Sequence, residues 1–140
     1  MDLLTNPGTN GTKELFDRHQ YSNLLFWIAS FRDSASFVES LYRSNYYISV
    51  INRIELLSFD KISAEQHKAL EAFVNNASVL ELDENVVVET IKIRQIHNTK
   101  LPDAIIAASC IVNNCCLITN NYKDFAKIKE LSIKSLTTLL

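Results

Sequence analysis

The chain has 140 residues, 47% of them hydrophobic and 21% charged, with a formal net charge of −2. These values describe one globular domain with a real core, and they exclude a disordered tail or a protein held to nucleic acid by bulk positive charge. Only two glycines occur, Gly8 and Gly11, so no glycine-rich phosphate loop runs through the body of the chain and a Walker-type or dinucleotide site is not expected.

Residues 1–13 are rich in Asn, Thr, Gly and Pro and suggest a flexible leader, with 14–140 as a single domain. Leu24-Leu25-Phe26-Trp27-Ile28 is a buried segment of open type, since a short apolar run fits helix or strand. Ser34 to Arg43 spaces Phe37, Val38, Leu41 and Tyr42 as a helix does. Tyr46 to Val50 is aromatic and β-branched, hence a strand. From Ile51 to Phe59 the pattern turns helical, with Ile51, Ile54 and Leu57 on one face.

Ser63 with Gln66 makes a capping box for a helix to about Asn75 that buries Leu70, Phe73 and Val74. Val79 to Leu82 is a short strand. Asp83 caps a helix that runs toward His97. Pro102 fits the first turn of the next helix, where its missing N–H costs nothing, and Asn113-Asn114 ends it. Cys116 to Thr119 is a buried strand. A short helix over Lys123 to Leu131 and a strand around Ile133 to Leu136 close the chain.

Cys110, Cys115 and Cys116 offer no C-x-x-C pair, so a disulfide framework or zinc site is not expected. Buried free thiols in a reducing cytoplasm fit better. No apolar run is long enough to span a bilayer, and no signal peptide is evident. His19, His67 and His97 are scattered, without triad or metal spacing.

Alternating strands and helices imply an α/β fold with a central parallel sheet of four or five strands. In open sheets of this kind, ligands collect beyond the C-terminal strand ends. Glu55 lies one helical turn past the strand ending near Val50, with Asn52 and Arg53 beside it. Asp103 stands in a first helical turn. Thr119, Asn120 and Asn121 leave the Cys116–Thr119 strand, and Asp124 follows. Three segments thus aim oxygen ligands at one rim, a set that suits Mg2+ or Mn2+. Each residue alone also has a structural role available: Asp103 as a helix-start charge, Glu55 as a solvent-facing side chain, Asn120-Asn121 as turn chemistry.

The segment from Tyr47 to Leu57, with Glu55, resembles the second motif of the PIN-domain family, and within it the VapC-type toxins of prokaryotic toxin–antitoxin pairs. Leu101-Pro102-Asp103-Ala104-Ile105-Ile106-Ala107-Ala108 resembles the third, and Leu117 to Phe125 the fourth, with Asn121 at its Asp-or-Asn position and Asp124 at its later Asp. The family opens with an apolar strand ending in Asp-Thr-Asn. Spacing puts that motif on Tyr21-Ser22-Asn23, so Tyr21 replaces the Asp. Asp17 and Asp2 are the nearby carboxylates that could substitute in space.

The resemblance implies a three-layer α/β/α fold, a cytoplasmic homodimer and a cognate antitoxin. It also implies an Mg2+- or Mn2+-dependent endoribonuclease that hydrolyses RNA phosphodiester bonds through a metal-activated water. Glu55, Asp103, Asn121 and Asp124 are its catalytic candidates, the first three also metal ligands, with Asn23, Asn52 and Thr119 in support. Arg53, Lys100 and Lys123 flank the motifs and could hold RNA phosphates. Tyr46, Tyr47 and Tyr122 are candidates for base stacking, Tyr47 also for the core. Lys92, Arg94 and Lys127 suggest solvated helix faces. The alternative is a catalytically impaired PIN module that binds RNA or a protein without cutting.

Overall fold

The structure, a computed structural model, describes residues 13–16, 46–119 and 122–134. The expected buried run Leu24–Ile28 and the expected helix over Ser34–Arg43 lie outside these residues. So do Asp17, Tyr21, Asn23, Asn120 and Asn121.

The described strands are β1 (Lys13–Phe16), β2 (Tyr47–Ser49), β3 (Ser78–Leu80), β4 (Cys115–Ile118) and β5 (Ile133–Lys134). They form one sheet in the order β3-β2-β1-β4-β5. Every neighbouring pair is parallel. Parallel neighbours need crossover connections, which the helices provide. Helices α1 (Val50–Leu57) and α2 (Ala64–Asn76) join β2 to β3; α3 (Glu84–Ile96) and α4 (Leu101–Asn113) join β3 to β4; α5 (Tyr122–Phe125) leads toward β5. The fold is therefore α/β, as the alternation of patterns implies.

The central strand is not where the sequence points. Composition puts Lys13 at the end of a leader. In the structure Lys13, Glu14, Leu15 and Phe16 pair with Cys115, Cys116, Leu117 and Ile118. Leu15 is also the partner of Tyr47. A strand with neighbours on both edges is held by two ladders of backbone bonds, so a mixed-polarity tetrapeptide can occupy the middle of the sheet.

Local chemistry sets the other boundaries. Ser63 and Gln66 form the expected capping box, and α2 buries Leu70, Phe73 and Val74. Asp83 accepts from the Val86 N–H at 3.0 Å and starts α3. Asn114 closes α4 in the left-handed region at φ 54°, which Asn tolerates better than most residues. Helix α4 is apolar on every side and buries each residue from Asp103 to Cys110, because it packs against both α3 and β4. Cys110, Cys115 and Cys116 are all buried, the last two as a strand covered on two faces requires.

Two expected patterns resolve differently. Ile51, Ile54 and Leu57 do share a face of α1, but Ile54 is 57% exposed and the helix turns Asn52 and Leu56 inward. The expected helix over 123–131 is helical only from Tyr122 to Phe125. Beyond it, Ile128 N–H donates to Phe125 O at 3.0 Å and Leu131 N–H to Ile128 O at 3.2 Å. These three-residue turns bury Phe125, Ile128 and Leu131. An apolar period of three served tight turns there, not an α-helix.

Candidate metal centre

The strand order reverses beside β1: the chain runs outward through β2 and β3, then returns to add β4 and β5 on the other side. The crevice past the carboxyl ends of β1 and β4 is thus the expected place for a ligand. The functional candidates cluster in sequence at this rim.

Ser49 ends β2 and caps α1. Its Oγ accepts from the Asn52 N–H at 3.0 Å, and Asn52 Oδ1 accepts from the Ser49 N–H at 2.9 Å. Both residues are fully buried. The box fixes where α1 begins, and so fixes Glu55 on the next turn, half-buried. Asn52 Nδ2 is buried with no hydrogen-bond partner. An orphaned buried amide costs about 1–3 kcal/mol, so Asn52 is kept for its cap at some expense. Ser49 is the residue that motif matching overlooked; a Ser three positions before a side chain that can reach back was the available signal.

Asp103 stands in the first turn of α4 and is 3% exposed. The positive helix terminus favours its negative charge, and Pro102 supplies a turn without an N–H to satisfy. The N-cap, Lys100, makes no side-chain cap bond. Helices α1 and α4 pack against one another, so the elements carrying Glu55 and Asp103 are neighbours. Thr119 follows β4 fully buried, while Asp124 on α5 is exposed.

Asn121 and Asn23 lie outside the described residues. Among the described residues no group of three or more His, Cys, Asp or Glu is gathered to hold a metal ion. The donors present still fit a hard divalent ion, since magnesium commonly takes one or two carboxylates and completes its shell with water and phosphate. They do not fit zinc: the thiols lie inside the core, and His67 pairs with Glu71 at 3.2 Å on the outer side of α2.

The expected nucleic-acid contacts are exposed in part. Arg53, Lys100 and Lys123 are exposed, and Tyr122 is 57% exposed. Tyr46 is not available to a base. It is fully buried, donates its hydroxyl to Phe73 O at 2.5 Å and stacks on the Phe73 ring at 4.8 Å. Tyr47 is half-buried against the core. Lys127, expected on a solvated helix face, is exposed but lies past the end of α5, and donates from Nζ to Asn98 O at 2.7 Å.

Among the described residues no helix is long and apolar enough to cross a membrane. A sequence model of the family described as PIN domain matches residues 22–131. The structure is similar to a toxin-antitoxin complex from Klebsiella pneumoniae, with 28% identity, a TM-score of 0.64, and coverage of 85% of this chain and 95% of that one. It is also similar to VapBC2 from Rickettsia felis bound to a DNA fragment from their promoter, at 21% identity and TM-score 0.69, covering 87% and 97%. DNA-bound VapBC from Salmonella typhimurium shares 22% identity and a TM-score of 0.72, covering 89% and 98%. No functionally curated protein matches.

Proposed function

The chain belongs to the PIN domain family, and we propose that it is the toxin of a toxin–antitoxin pair, an Mg2+- or Mn2+-dependent endoribonuclease of the VapC type. The observation that carries this reading is the buried carboxylate of Asp103 at the start of α4, on a helix packed against the one that presents Glu55. The similarity to toxin–antitoxin complexes supports an antitoxin partner. A homodimer and a cytoplasmic location follow from the same reading.

Glu55, Asp103 and Asn121 would hold the ion, with Asp124 at the outer edge. Bound there, a divalent ion lowers the pKa of its water and offsets charge on the phosphoryl oxygens. Arg53, Lys100 and Lys123 bind RNA phosphates without reading sequence, and Tyr122 offers a stacking face. Thr119 and Asn52 support the rim from within.

Asp17 supplies a third carboxylate in this proposal. It directly follows Phe16, the last residue of β1, in the sequence. A second reading keeps Tyr21 in the acidic position and makes the protein an impaired binding module. It rests on the sequence, where the family spacing puts Tyr21 at that position.

The test is RNA cleavage by the full chain with Mn2+. Glu55→Gln and Asp103→Asn each lower the rate by more than about 100-fold, beyond what outer-shell changes cost. Unchanged rates in both variants would sink the nuclease site. Asp17→Asn abolishes cleavage if Asp17 is the third ligand. A gain on Tyr21→Asp, with Asp17→Asn silent, transfers that role to position 21.

A further inference from the structure

The loop that leads into α4 is held by a residue the proposed site does not use. Lys127 Nζ donates to the backbone carbonyl of Asn98 at 2.7 Å, across 29 residues of chain. Asn98 stands just ahead of Lys100, the N-cap of α4, and Lys127 stands just beyond α5. The bond therefore joins the entry to the helix of Asp103 with the exit from the helix of Asp124.

That entry has few anchors of its own. Lys100 forms no side-chain cap. Thr99 N–H donates to His97 O at 3.0 Å in a tight turn. Thr99 is buried, yet its Oγ1 has no hydrogen-bond partner. A loop with one short turn and an unsatisfied hydroxyl can shift unless something outside fixes it. An ammonium on a carbonyl is a charge-assisted bond, stronger than a neutral one, and it fixes the carbonyl in place.

Resting on the metal-site reading above, we infer that Lys127 is a positioning residue, which sets the first turn of α4 and thus Asp103 against α5. The bond is exposed, so it contributes little to global stability. Its effect is on geometry, where displacements on the order of 1 Å change function strongly.

Two measurements on the full chain test this. Amide hydrogen exchange in Lys127→Met is faster at residues 98–104 and 122–125 than in the parent, with α2 and α3 unchanged. Mn2+ binding by calorimetry, without RNA, weakens about tenfold in Lys127→Met, with an unaltered unfolding midpoint. Lys127→Arg keeps a cationic donor and restores both. Unchanged exchange in Lys127→Met overturns the inference, as does faster exchange with parental Mn2+ affinity. If Mn2+ binding is parental in Lys127→Met but lost in Glu55→Gln, the metal site stands and only the role of Lys127 falls. A parent chain that binds no Mn2+ overturns both.

Discussion

Ser49 and Asn52 cap each other at the start of α1, each side chain accepting from the other's backbone N–H, at 3.0 Å and 2.9 Å. This small reciprocal bond connects the end of a sheet strand to the turn that bears Glu55. It also explains why the apolar residues of α1 divide as they do: once the cap sets the phase, Leu56 faces the core and Ile54 faces water.

Removing that cap is expected to be felt in both stability and function. Ser49→Ala should cost about 1 kcal/mol, the usual value of an N-cap side chain. Urea denaturation reads this as a lower midpoint at unchanged slope. A midpoint equal to the parent's would mean the box contributes nothing.

Lys100 offers two opposed effects in one substitution. It is an N-cap without a side-chain cap bond, so Lys100→Ser should stabilise α4 by about 1 kcal/mol. The same change removes an exposed cation from the proposed RNA rim. RNA affinity should fall, and the slope of log affinity against log salt should drop by about one. A stabilised protein with an unaltered salt slope would remove Lys100 from the interface.

The tyrosines separate core from rim. Tyr46→Phe leaves the Phe73 carbonyl without its hydroxyl donor and should cost about 1–2 kcal/mol, with RNA affinity unchanged. Tyr122→Ala should leave stability nearly unchanged and weaken RNA binding by about 1–3 kcal/mol, the range for one stacked base. Filter binding and thermal unfolding of the two variants give opposite patterns if the assignment holds.

Asn114 ends α4 with φ 54°. Asn114→Gly should be neutral or slightly stabilising, while Asn114→Ala should cost about 1 kcal/mol, because a Cβ without a local hydrogen-bonding group is disfavoured there. Equal midpoints for the two variants would rule out the left-handed cap.

Much of this molecule is written in local chemistry. The capping boxes, the Asp83 cap, Pro102 in a first turn and the Asn114 stop are short-range effects, so residues a few positions apart specify them. The motif around Glu55 and the one around Asp103 are local in the same sense, and so is the α/β alternation. Spacing along the chain could not say which strand lies in the middle of the sheet. Pairing between Lys13–Phe16 and Cys115–Ile118 joins distant segments through backbone atoms, which carry no sequence signature. Nor could it say that Tyr46 is sealed under Phe73, that Ile54 faces water, or that Lys127 reaches Asn98. Those facts depend on which surfaces meet after the helices pack, and burial is a property of the assembled layers and not of any one segment.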